Sequence, residues 1–189
     1  DAEAFEEEIE RLGSKRAKAD AIRTRLAKSI HTKWDENPAL YQKFSDRIEE
    51  AIQQYRDKRI SEADYLNRMK DIMKDYRSGD SSDNYPTVIK NNPNAQAFYG
   101  ATKDILNEIK ETSASYNTES LGDLAQDMDE IIKGHQKVDW HGNLDIHNRI
   151  EQELDDLLFD FKEEHKLDLD FDTIDKIIEQ IKKIALRRY

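Results

Sequence analysis

Apolar residues recur at helical spacing along nearly the whole chain. Phe5, Ile9, Leu12, Ala19, Ile22, Leu26 and Ile30 follow one stripe and predict a long first helix. Its middle, residues 13–18, is polar and is expected to be exposed or bent. Asn37 and Pro38 read as an N-cap with proline at the first helical position. The seam Tyr41, Phe44, Ile48, Ala51, Ile52, Tyr55 then carries a helix to about Lys58. Ser61 and Asp64 have the spacing of a capping box, with Tyr65, Leu66, Met69, Ile72, Met73 and Tyr76 behind them and Gly79 as a stop.

Residues 80–93 are rich in Asp, Ser, Asn and Pro and predict a linker or mobile loop. Asn92 and Pro93 open a further helix through Phe98, Ile105, Leu106 and Ile109. A Ser/Thr-rich break leads to a shorter one with Leu121, Leu124, Met128, Ile131 and Ile132, ending near Gly134. Beyond a loop at Trp140 and Gly142, the stripe Leu144, His147, Ile150, Leu154, Leu157, Leu158, Phe161 marks another helix. Asp170 caps the last helix, with Leu169 stapled towards Ile174 and the face Ile177, Ile178, Ile181, Ile184 following. The fold expected is all-α: an irregular bundle of about seven helices with a long first helix, forming a single domain over 1–189.

Composition sharpens this. The chain holds 19 Ile and 14 Leu against 2 Val, with 6 Gly and 3 Pro, which disfavours a sheet. Charged residues make up 38%, so the surface is a solvated charge mosaic around a well-patterned core. No apolar run approaches the ~20 residues of a membrane span, and the first residues show no signal-peptide pattern. The absence of Cys removes disulfides, thiolate metal sites and cysteine nucleophiles, and fits a reducing, cytoplasmic setting. A start at Asp1 rather than Met suggests a fragment of something longer.

A net charge of -11 argues against a chain that binds phosphate backbones everywhere on its surface. The charge is uneven, however. Residues 11–33 carry eight Lys and Arg, of which Lys15, Arg16, Arg23 and Arg25 are the candidates for DNA contact. The plainer alternative is a solvated helix face balanced by the glutamates upstream. Acid dominates 151–170, where Asp155 and Asp156 read as surface residues or as partners for Arg187 and Arg188.

Catalytic chemistry finds little footing. There is no phosphate loop of the G-x-x-x-x-G-K-[ST] type, no strand-linked G-x-G-x-x-G and no G-x-S-x-G elbow. Asp104, Glu108 and Lys110 have a nuclease-like composition, but such triples arise readily in a charged amphipathic helix. His135, His141 and His147 flank Asp139 and Asp145, yet six-residue spacing does not align ligands on one helix turn. His147 also falls on an apolar stripe, where a packed histidine is the ordinary reading. No metal, cofactor or small-molecule substrate is expected. Trp140, in a loop, is either a lid on the bundle or a partner anchor. Arg187, Arg188 and Tyr189 are the other candidates for partner contact.

Several segments resemble one family. DAIRTRLAKSIHTKWDENPALYQKFSDRIEEAI, from Asp20 to Ile52, is similar to the start of the C-terminal helical region of restriction (motor) subunits of type I restriction–modification enzymes. RISEADYL at Arg59–Leu66, VDW at Val138–Trp140, Asn143, DDLLFD at Asp155–Asp160 and LDFDTIDKIIEQ at Leu169–Gln180 are similar as well. These are helix and turn signatures rather than catalytic motifs, and they leave residues 1–19 and 80–135 unplaced. In such subunits a nuclease and two motor lobes do the chemistry, while the C-terminal helical domain joins the subunit to the methyltransferase–specificity core. The resemblance therefore implies a non-catalytic assembly module whose partners are methyltransferase and specificity subunits, with DNA contact through the basic first helix as the alternative.

Overall fold

The computed structural model describes residues 2–79, 85–109, 116–136 and 139–189, with backbone only for residues 2 and 3. Among these residues eight α-helices form and no strand: α1 (Ala2–Glu10), α2 (Lys15–Lys33), α3 (Pro38–Arg56), α4 (Glu62–Ser78), α5 (Pro93–Glu108), α6 (Thr118–His135), α7 (Leu144–His165) and α8 (Phe171–Arg188). The expected all-α class is what forms. The long first helix is not: it is broken into α1 and α2. Ser14 is extended (φ -130°, ψ 152°) and its side chain accepts a hydrogen bond from Ala17 N–H, so it caps a new helix instead of continuing the old one. Ile9 and Ala19 both stay buried on either side of the break.

The chain divides into two compact units, residues 1–34 with 40–83 and residues 35–39 with 84–189. In the first, α2 packs along α4 through Ala19, Ile22, Leu26 and Ile30 against Tyr65, Leu66, Met69 and Ile72, all buried. Helix α3 joins them through aromatic contacts. Tyr55 stacks on Tyr65 at 4.8 Å, and Phe44 meets Tyr76 edge-on at 5.5 Å. The expected capping box of α4 is present, with Ser61 accepting from Asp64 N–H and Asp64 accepting from Ser61 N–H. Gly79 ends α4 in the left-handed region at φ 69°, where a Cβ would be strained.

In the second unit α5 touches α6 and α8, and α7 touches the same two, so the four helices close a ring around one core. Ile89, Phe98, Leu106, Met128, Ile132, Leu154, Ile177, Ile181 and Ile184 fill it. Asn92 and Pro93 open α5 as expected, the Asn92 side chain accepting from Ala95 N–H, and Asp170 caps α8 by accepting from Thr173 N–H. Asn117 caps α6 by accepting from Ser120 N–H. Of the expected 80–93 loop, residues 80–84 lie outside the described residues. From Tyr85 onward the segment is packed, with a single 3-10 turn at Thr87–Ile89 and Ile89 fully buried. Gly122 of α6 lets this turn come close, since a Cβ there would lie 2.4 Å from Pro86 Cβ.

Candidate protein-binding surfaces

The residues expected to meet a partner at the C-terminus are held within the second unit. Arg188 donates through Nε to Asn94 Oδ1 at 2.7 Å and through a terminal nitrogen to Glu36 O at 3.2 Å. The Tyr189 hydroxyl donates to Asp129 Oδ1. Arg187 is exposed and faces Asp35 at 3.6 Å, as does Lys183 at 3.2 Å. The acidic pair Asp155 and Asp156, considered as partners for Arg187 and Arg188, is exposed on α7 and makes neither contact. Of the three, Arg187 is exposed, while Arg188 and Tyr189 are half-buried.

Asp129, where Tyr189 ends, is the one fully buried carboxylate among the described residues. It also accepts from Asn92 Nδ2 at 2.7 Å and Lys133 Nζ at 2.5 Å. This cluster ties the start of α5, the middle of α6 and the end of α8 together. Its signal in the sequence is weak: Asp129 lies on the flank of the α6 stripe Leu121, Ala125, Met128, Ile132.

Trp140 opens a 3-10 turn and is buried in the second core. His147 Nε2 lies 2.8 Å from the Trp140 carbonyl oxygen, and the two rings are 5.9 Å apart. His135 Nε2 lies 2.7 Å from Glu153 Oε1, and His141 is exposed against the Trp140 ring at 4.5 Å. The three histidines thus have separate surroundings, and no metal-binding group of three His, Asp or Glu side chains occurs among the described residues. Of the nuclease-like triple, Glu108 pairs with Lys176 at 2.5 Å, and Lys110 lies outside the described residues.

The basic candidates on α2 do not share a face. At about 100° per residue, Arg23 and Arg25 point roughly 160° apart. Arg16 and Arg23 flank Asp20, each 3.8 Å from its carboxylate. Arg25 instead stacks over the Phe5 ring at 5.0 Å. Lys15 is exposed at the start of the helix. A phosphate backbone laid along α2 would meet part of this set at a time.

A concave surface in the first unit was not evident from the sequence. A groove of about 770 Å³ runs between α1 and α4, lined by Phe5, Ile9, Ile22 and Met73. Its walls differ in sign: α1 contributes Glu6, Glu7 and Glu10, and α4 contributes Lys70, Lys74 and Arg77. Arg77 reaches Glu6 at 2.5 Å and Lys70 reaches Glu10 at 3.7 Å. Lys18 adds a 2.7 Å bond to Glu10, and this bond chiefly holds the Glu10 carboxyl below its usual range. Elsewhere the large exposed apolar side chains are Leu144 and Phe171 (both 77% exposed), Phe159, Val88 and Leu186. They are scattered over several elements; Leu144 lines a shallower hollow of about 740 Å³ whose other walls are polar residues among 139–145.

A family model described as "Type I restriction enzyme HindI endonuclease subunit-like, C-terminal" matches residues 2–187. No match was found among curated proteins or among solved structures.

Proposed function

This chain belongs to the family of type I restriction enzyme HindI endonuclease subunit-like C-terminal domains, and from that premise we propose that it is the assembly module of a motor/endonuclease subunit. It docks that subunit onto the methyltransferase–specificity core so that restriction occurs on DNA the core has engaged. It contributes no catalytic residue of its own; the nuclease and ATPase chemistry belongs to other parts of the subunit. The observation that carries this reading is the span of the match, which takes in both helical units from end to end. The groove between α1 and α4 adds to it, because a concave apolar surface with charged walls suits a protein partner better than a duplex. Contact with DNA through α2 receives less support, since its cations are divided between faces and partly occupied by Asp20 and Phe5.

The test is a titration of residues 1–189 against the methyltransferase–specificity core, with and without duplex DNA. Saturable binding without DNA is the expected result. Binding only when DNA is present would transfer the role to a joint protein–DNA contact. No binding under either condition would refute docking by this domain.

A further inference from the structure

The α1–α4 groove has features that select one kind of occupant. We propose that it seats an amphipathic helix presented by the methyltransferase–specificity core, with an apolar stripe flanked by basic side chains on one side and acidic ones on the other. This rests on the docking reading above and names the surface that performs it.

Three observations combine. The floor is apolar and built from three helices, with Phe5 and Ile9 from α1, Ile22 from α2 and Met73 from α4. The cross-groove ion pairs run Glu6 to Arg77 and Glu10 to Lys70, so α1 lies antiparallel to α4. Lys70 and Arg77 are seven residues apart, which at 1.5 Å per residue makes the basic wall about 10 Å long, or two turns. That length admits two or three anchors at i, i+3 or i+4, and i+7, the spacing by which a helix fills an apolar groove. The walls then fix its flanks: basic groups face Glu6, Glu7 and Glu10, and acidic groups face Lys70, Lys74 and Arg77.

The same walls argue against other occupants. A nucleic-acid backbone would gain at α4 and be repelled at α1, and it offers no apolar stripe. The pairs that now bridge the groove do not block a helix. Their side chains are between 39% and 65% exposed, where an ion pair is weak and easily exchanged for one with a partner. Lys74 is exposed and pairs with nothing among the described residues, which leaves a cation available on the wall.

The experiment uses the complete subunit, titrated against the core in four forms: parent, Lys74→Glu, Met73→Gln, and a deletion of residues 1–189. Met73→Gln keeps the side-chain length but puts an amide on the apolar floor, and is expected to raise Kd about tenfold. Lys74→Glu, an exposed change that leaves the core untouched, is expected to raise Kd about threefold at low salt and less at high salt. If the deletion abolishes binding while both substitutions bind like the parent, the groove is not the seat and the docking reading survives. If the deletion binds like the parent, both fall. Should Met73→Gln lower the melting temperature, the Lys74→Glu result and its salt dependence decide.

Discussion

The Asp129 cluster allows a worked test of what holds the second unit together. Asp129→Ala removes a fully buried carboxylate that accepts from Asn92, Lys133 and Tyr189. Each hydrogen bond to a charged group contributes about 1.5–3 kcal/mol. Two effects reduce the total. The variant no longer has to keep a carboxylate out of water, which costs several kcal/mol per ion. The partners also recover in part: Lys133 is half exposed and returns to solvent, and Asn92 keeps Gln126 Oε1 at 3.0 Å and its cap on Ala95. The Tyr189 hydroxyl loses its one partner among the described residues. A net loss of about 2–3 kcal/mol follows, which for a chain of this size lowers the melting temperature by about 5–10 °C. Thermal unfolding followed by far-ultraviolet circular dichroism reads this directly. Tyr189→Phe should lose about 1–2 kcal/mol alone, and the double variant should lose less than the sum, because both changes remove the same bond. An Asp129→Ala melt within about 1 °C of the parent, or additive losses in the double variant, would refute the reasoning.

Three further outcomes follow from particular contacts. Gly122→Ala would place a Cβ 2.4 Å from Pro86 and is expected to cost about 1–3 kcal/mol, whereas Gly134→Ala in the same helix meets nothing within 4 Å and should stabilise by about 0.5 kcal/mol; paired melts that fail to differ in sign would contradict this close approach. Ser61→Ala should cost about 1 kcal/mol at neutral pH. Hydrogen bonds from the Ser61 hydroxyl and backbone hold the Asp64 carboxyl below its usual value; a depressed folded value stabilises above the usual carboxylate range and is lost as pH falls through it, so the gap between parent and variant should narrow in acid denaturation. Reversing Arg16 or Arg25 to Glu should change affinity for duplex DNA by less than about threefold, given how the α2 cations are divided; a tenfold loss with a flattened salt dependence would restore direct DNA contact.

Local grammar was legible in the chain. Ser61 with Asp64, Asn92 with Pro93, Asp170 and Gly79 mark helix ends, because capping is settled within a few residues. The break between α1 and α2 was harder. Leu12 and Ala19 are seven residues apart, two full turns, so the apolar stripe keeps its phase across the interruption. Only Gly13 and Ser14 record it. The anchoring of the C-terminal residues was illegible for another reason. Arg188 and Tyr189 bond to Asn94, Glu36 and Asp129, between 60 and 152 positions away, and periodicity carries no information at that range. The groove depends likewise on α1 lying antiparallel to α4, although the acidic residues of one and the basic residues of the other stand openly in the sequence. By contrast, the division of the α2 cations needed nothing beyond 100° per residue.

Under the proposed function this domain joins its subunit to the methyltransferase–specificity core. The most direct measurement compares the complete subunit with one lacking residues 1–189 for affinity to that core, by sedimentation of the labelled core at matched salt. The truncated subunit is expected to lose association with the core while its remaining part keeps its fold by circular dichroism. Equal affinity of the two forms for the core would contradict it.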